Sequence, residues 1–298
     1  MRYILGIDIG TTAIKGAVIG EDGKIYGTKT SEYPLTTLPT GEVEADLQLY
    51  INAFTQSIKG AVEDAKVDVA DIKCVGFSST AETCVFLDKY NEPLCKVIAW
   101  MDTRATKEAE YLTAHFDKKD IINKVGFDGI YAIHPVSKIL AVKNKNPEIF
   151  EKTRMFAQIK DYFIYRLTGE YYTDHSTASD HGFFDITNRC YWNEMLEFTG
   201  IKEEYLPKLV EPGTELGTIS REAALEFGLN PETKINVGAF DQGCGAIGAG
   251  NTKPGIASES TGSALVTVAT IDALNPDSQG DVPTLCSGIP GKYIYQPY

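Results

Sequence analysis

The chain has 298 residues, of which 43% are hydrophobic and 23% charged, and its formal net charge is −13. Such a composition is that of a soluble, well-packed protein long enough for one large domain or two ordinary ones. The acidic balance excludes a nonspecific polyanion-binding role, because nucleic acid recognition needs a basic footprint, so an anionic ligand must be met by local donors.

Three short runs open the chain, "YILGIDI", "AIKGAVIG" and "KIYGTKT", separated by "GTT" and by a turn holding Asp22-Gly23. Apolar and β-branched runs bounded by glycine-containing turns predict an antiparallel meander. Residues 43–65 follow, where Leu47, Ile51, Phe54, Ile58 and Val62 recur at helical spacing, and "IKCVGFSS" reads as a further strand. The order βββαβ predicts a mixed sheet flanked by helices, an α/β arrangement distinct from a Rossmann unit.

Beyond it, a hairpin is expected around Asn91-Glu92-Pro93, a helix from near Thr103, and two helices in "VSKILAVKNKNPEIF" and "AQIKDYFIYRLTGE". The stretch "YYTDHSTASDHGFFDITNRCYW" reads as a polar, aromatic, irregular loop, and loops of that length in compact domains are often functional. Near the end, "KINVGAFDQGCGAIGAG" reads as a strand, an acidic turn at Asp241 and a small-residue helix. "GIASESTGSALVTVAT" reads as two strands joined by a Thr-Gly-Ser turn.

The six cysteines, at 74, 84, 95, 190, 244 and 286, form no C-x-x-C pair and sit beside no histidine at zinc-ligand spacing. They read as reduced thiols, not as a disulfide framework or a metal site. The apolar run at the N-terminus is too short for a signal-peptide core, and no stretch reaches transmembrane length. The expected location is the cytoplasm, with no membrane and no nucleic acid partner.

Gly10-Thr11-Thr12 between two strands exposes successive amides and hydroxyls, a concavity suited to phosphate oxygens. Asp8 beside it can hold a divalent cation, since Mg²⁺ takes few protein carboxylates together with phosphate oxygens, and Lys15 on the second strand adds a positive charge. The same residues also fit a plain hairpin in which Asp8 caps the turn. The second turn, at Thr261-Gly262, supplies the partner that a triphosphate held between two turns requires. Asp241 fits a base that takes a proton from a substrate hydroxyl, and it equally fits an N-cap.

Five motifs in order, "GIDIGTTAIKGAVI", "AWMDTRA", "KDYFIYRLTGEYYTDHSTAS", "GAFDQGCGAIGAG" and "ESTGSA", resemble the N-terminal half of the FGGY family of carbohydrate kinases, over essentially all 298 residues. The resemblance implies an α/β, actin-like ATPase, ribonuclease H-like fold: a mixed five-stranded sheet flanked by helices, with a substrate-side insertion. It implies ATP-dependent phosphorylation of a sugar or polyol hydroxyl, with a ketopentose such as xylulose foremost, and ATP and Mg²⁺ as cofactors. By it, Gly10, Thr11, Thr12, Ala13 and Lys15 fall on the first phosphate loop, Thr261 and Gly262 on the second, and Asp8 on the Mg²⁺ site. Asp241 falls on the catalytic base, Gln242 beside it on a substrate contact, and Trp100 on an aromatic lining the sugar pocket.

Ala81 and Glu82 fall where the family grips substrate hydroxyls, a position that reads Arg-Glu in glycerol kinases and Met-His in xylulose kinases. This chain departs from both. The resemblance further implies that residues 1–270 form the sugar-binding domain and that residues 271–298 begin the connection to a C-terminal nucleotide-binding domain, which would be the chain's own partner. A homodimer is compatible with it. A non-catalytic sugar sensor and a sugar-independent ATPase share the same superfold and stand as the alternatives.

Overall fold

The computed structural model describes residues 1–261, 265–275 and 280–297. The meander forms as expected: β1 (Tyr3–Ile9), β2 (Ala13–Gly20) and β3 (Ile25–Glu32) pair antiparallel, with Asp8 opposite Lys15. Gly23 turns the chain at φ +77°, a value glycine adopts without a Cβ penalty. Strand Ile72–Ser79 lies parallel to β1, and Lys234–Phe240 lies parallel to that strand in turn. These are the five expected strands. A sixth, Glu215–Thr218, joins antiparallel at the Lys234–Phe240 edge. Its "ELGT" is too short and too polar to announce itself, and cross-strand pairing decides its state.

Helix α1 (Leu47–Ala65) covers one face of this sheet, burying Phe54, Ile58 and Ala61 against it. Phe54 stacks on Phe163, with ring centroids 3.9 Å apart. The approach is so close that a Cβ at Gly27 would lie 2.3 Å from the Ala65 amide nitrogen. The sequence pattern carries the helix back to residue 43, but Val43–Ala45 is a strand between Thr36–Thr37 and Val97–Ile98. Strand alternation along β1 and β2 buries Ile7, Ile9 and Ile14 and leaves Asp8 and Lys15 on the face away from α1. On that face a groove of about 490 Å³ runs over Gly6, Asp8, Lys15, Ala17, Gly76 and Ser78.

A second apolar core, including Phe86, Leu112, Phe127, Ile139 and Trp192, lies under two smaller sheets and the intervening helices. One sheet joins Thr36–Thr37, Val43–Ala45, Val97–Ile98, Cys84–Leu87 and Met155–Gln158. The turn around Asn91 is present, with Asn91 at φ +64°. The helix expected from Thr103 begins at Thr106, because the Asp102 carboxylate accepts the Arg104 amide (2.9 Å) and guanidinium and folds residues 102–104 into a turn. The apolar pattern in "VSKILAVKNKNPEIF" is two helices, Pro135–Lys145 and Pro147–Lys152, divided where Pro147 cannot continue the first.

The expected irregular loop at 171–192 is instead ordered and largely buried, with strand Tyr172–Asp174, helix His175–Ala178, and strands Phe184–Asp185 and Cys190–Tyr191. A buried ion pair, described below, is what permits so many polar side chains to be covered. The other small sheet pairs Ala257–Thr261, Leu265–Ile271, Tyr293–Tyr295 and Thr284–Cys286 in that spatial order. The division expected at residue 270 therefore falls inside a strand, and Leu285 and Ile294 share the second core. Among the described residues no helix is long and apolar enough to cross a membrane.

Candidate active site

The link from β1 to β2 is only Gly10, Thr11 and Thr12. The Gly10 amide donates to the Ala13 carbonyl (3.0 Å), and a Cβ at Gly10 would sit 3.1 Å from that oxygen, so glycine lets the turn tighten. Tyr33 braces it: its hydroxyl donates to the Gly10 carbonyl and its amide to the Thr12 carbonyl (3.0 Å). Among the described residues no main-chain or side-chain acceptor takes the amides of Thr11 and Thr12, which leaves both for an anion.

Asp8 accepts from the Ser78 hydroxyl (2.9 Å), and the Lys15 ammonium lies 3.5 Å from its other oxygen. Lys15 thus lies beside Asp8 on the open face, on the second strand where its charge was expected. One carboxylate of this kind suits Mg²⁺ held mainly by phosphate oxygens and water. It does not suit an all-protein cage, and no group of three or more ligating side chains exists among the described residues. Thr261 stands exposed at the end of strand Ala257–Thr261, in a different sheet from the strands β1 and β2 that Thr11 and Thr12 join. Gly262 lies outside the described residues.

Asp241 is the first residue of helix Asp241–Gly248, and Phe240 occupies the cap position, so the capping alternative for Asp241 does not hold. Burial pushes the Asp241 carboxyl up to about 7, the nearby Asp8 charge adds to this, and the Gln242 amide opposes it. Asp241 and Asp8, far apart in sequence, thus lie close enough in the fold for the charge of one to act on the other. A carboxylate whose pKa lies near neutrality can accept a proton at physiological pH.

What holds Asp241 was not among the sequence-derived candidates. Lys160 and Asp174 form an ion pair with both side chains fully buried, and Lys160 also donates to the Thr177 hydroxyl (2.6 Å). Asp174 caps the His175–Ala178 helix through the Ser176 amide (2.9 Å) and accepts the Ser176 hydroxyl. That hydroxyl accepts the Phe240 amide at 3.0 Å, one residue before Asp241. A continuous polar chain thus runs from a buried cation to the backbone that carries Asp241.

On the adjoining side, Glu82 is buried at φ +58°, a left-handed conformation unusual for glutamate and tolerated only where the surroundings enforce it. Lys138 enforces it. Its buried ammonium donates to the carbonyls of Glu82 (2.7 Å), Ala99 (2.9 Å) and Trp100 (3.0 Å). Trp100 in turn donates its indole N–H to the Thr11 hydroxyl at 2.9 Å, which ties it to the Gly10–Thr12 turn. Ala81 is completely buried, and Gln242 is partly exposed at the start of the Asp241 helix.

The signal that could have found Lys138 is a lone lysine within the apolar run Val136–Val142, every residue of which is buried. Burial pushes the Glu82 carboxyl up to about 8, with Lys138 opposing and Asp241 reinforcing. The fold therefore brings Asp8, the Gly10–Thr12 turn, Glu82, Trp100 and Asp241 to one region.

Known proteins resemble this chain over nearly its whole length. A xylulose kinase of Bacillus subtilis is 30% identical over 284 residues, covering 95% of this chain and 56% of its own. A gluconokinase of the same organism is 29% identical, covering 98% of this chain and 56% of its own. The solved structure of a ligand-bound xylulose kinase from Lactobacillus acidophilus superposes with a TM-score of 0.89 at 27% identity, covering 99% of this chain and 59% of that one. The chain thus spans somewhat more than half the length of the relatives it matches. The N-terminal domain pattern of the FGGY carbohydrate kinases matches residues 3–248. With its mixed actin-like sheet and its substrate-side insertion, the chain belongs to the FGGY family of carbohydrate kinases.

Proposed function

We propose that this chain is the sugar-binding part of an enzyme that transfers a phosphoryl group from ATP to a hydroxyl of a sugar or polyol, with a ketopentose such as xylulose as the foremost substrate. The observation that carries the reading is Asp241, held near neutrality beside Asp8 at the open turn of Thr11 and Thr12, with Glu82 and Trp100 adjoining. Asp241 orients the substrate hydroxyl and takes its proton. Glu82 accepts a second hydroxyl, Trp100 lines the sugar, and Gln242 contacts it. The amides of Thr11 and Thr12 with Ala13, and the turn at Thr261 and Gly262, receive phosphate oxygens. Asp8 and Lys15 stand at the metal-bearing edge. ATP with Mg²⁺ supplies the transferring group and neutralises its charge. Phosphoryl transfer rests chiefly on such positioning and electrostatics.

The relatives' greater length and the open face of the main sheet support a nucleotide-binding domain contributed by residues beyond these 298. A cytoplasmic location accords with a metabolic kinase. The test is a coupled ATP-consumption assay of the intact protein with and without Asp241→Asn. The variant is expected to lose roughly 10² to 10⁴-fold in kcat while sugar binding persists. Near-normal kcat, or ATP hydrolysis independent of sugar, would reject the assignment. The isolated 298 residues are expected to turn over little in the same assay.

A further inference from the structure

The segment that reads as an irregular loop holds a group the mechanism above does not use. Asp180 is 1% exposed, and neither of its carboxyl oxygens has a hydrogen-bond partner. Its place is fixed from two sides. Ser176, four residues earlier, accepts the Phe240 amide beside Asp241 at 3.0 Å. The His181 carbonyl accepts the Val136 amide at 3.0 Å, on the helix whose Lys138 holds the Glu82 carbonyl. Asp180 therefore lies between the strand end that leads into Asp241 and the helix whose Lys138 holds the Glu82 carbonyl. Its carboxyl is raised well above the usual range, first by burial and then by the Glu82 and Asp241 charges.

Lys138 opposes the rise at Glu82, but among the described residues no lysine or arginine forms an ion pair or hydrogen bond with the three carboxyls themselves. Lys138 directs its donors to three carbonyls, and Lys160 is paired with Asp174 and Thr177. The neighbouring imidazoles of His134 and His181 are both pushed down to about 3 by burial and stay neutral. Both ring nitrogens of His181 and Nε2 of His134 also lack partners. A buried carboxyl that nothing in the protein satisfies is unfavourable for the fold, and a ligand rich in hydroxyls would satisfy it.

We propose that Asp180 is a specificity-determining residue that joins Glu82 in hydrogen-bonding the hydroxyls of a neutral polyhydroxy substrate. It would also discriminate against aldonates, whose carboxylate would meet three carboxyl groups and no free cation. The proposal rests on the placement of the sugar beside Asp241, but not on phosphoryl transfer.

The test titrates xylulose, ribulose, glycerol and D-gluconate into the intact protein by calorimetry without ATP, in the wild type, Asp180→Asn and Asp180→Ala. The same proteins are followed by the coupled assay and by thermal unfolding. The wild type is expected to bind at least one neutral compound about tenfold or more tighter than gluconate. Asp180→Ala should weaken that binding about tenfold and raise KM alike, with kcat within about threefold, gluconate affinity no lower, and an unfolding midpoint equal or higher. Asp180→Asn, which still accepts a hydrogen bond, should fall between. Unchanged neutral-sugar affinity in both variants, tighter binding of gluconate than of every neutral compound, or a lowered unfolding midpoint in both variants would overturn the proposal. A wild type that binds sugars in the expected pattern yet consumes no ATP would refute the kinase reading and leave this one standing.

Discussion

Replacing Asp174 by asparagine isolates one charge at a site where the geometry sets the outcome. Lys160 and Asp174 are both 0% exposed, so neither is shared with solvent. The carboxamide of the Asp174→Asn variant keeps an oxygen for the amides of Ser176 and Thr177, and so spares the helix cap while leaving the Lys160 ammonium without a counter-charge. Breaking one side of a buried pair costs about 3 to 5 kcal/mol. For a chain of this size that corresponds to a fall in unfolding midpoint of roughly 6 to 10 °C.

The same change loosens the Ser176 hydroxyl that receives the Phe240 amide, and a misplaced Asp241 should cost kcat tenfold or more. Calorimetric unfolding reads the first effect and the coupled kinase assay of the intact protein the second. The double variant Lys160→Met, Asp174→Leu removes both charges and is expected to recover most of the midpoint while kcat stays low. Acid titration gives an independent check. Burial alone would raise the Asp174 carboxyl, but Lys160 and the Ser176 and Thr177 hydroxyls hold it below its ordinary value. Its stabilisation is therefore present above the unfolded carboxyl pKa and lost only as pH falls below about 4, an acid step that Asp174→Asn should lack. A variant within about 1 kcal/mol of wild type, or a double variant as unstable as the single, would refute the reasoning.

Lys138→Met removes the donor shared by three buried carbonyls. Each orphaned carbonyl costs about 1 to 3 kcal/mol, offset in part by no longer burying an ammonium, so a net loss of about 3 kcal/mol and a raised KM for sugar are expected. Unchanged stability together with unchanged KM would show that the Glu82 conformation does not depend on it. Asp241 provides a pH test of opposite sign to Asp174. Because its folded pKa is raised to about 7, its contribution is full below the unfolded value and is lost as pH climbs from about 4 to about 7. Asp241→Asn should therefore gain on the wild type across that interval in denaturant midpoints, and parallel curves would contradict the stated burial.

Much of the fold was legible along the chain because its signals are local. The meander follows from alternating apolar residues and from turns at Gly10 and Gly23, and α1 from a five-residue apolar stripe; both form as read. The candidate site was legible where a turn exposes its own amides, as at Thr11 and Thr12, and where a carboxylate ends a strand, as at Asp241. Errors arose where pairing at a distance overrides local preference. Val43–Ala45 continues the helical pattern but is claimed by Val97–Ile98, and the polar segment 171–192 is ordered because Lys160, on another element, neutralises Asp174. The pairing of Lys15 with Asp8 is likewise set by antiparallel register, which places the two opposite each other.

By itself, the sequence determined the opening meander, the main helix, the glycine-threonine turn and the family, since each depends on residues close together in the chain. Only the tertiary structure decided which of the candidate groups share a pocket. Burial and facing charge raise Glu82, Asp180 and Asp241 together, and the lysines that position them lie from 14 to 56 residues away from their partners. Desolvation and hydrogen-bond geometry are properties of the assembled core, and no local pattern encodes them.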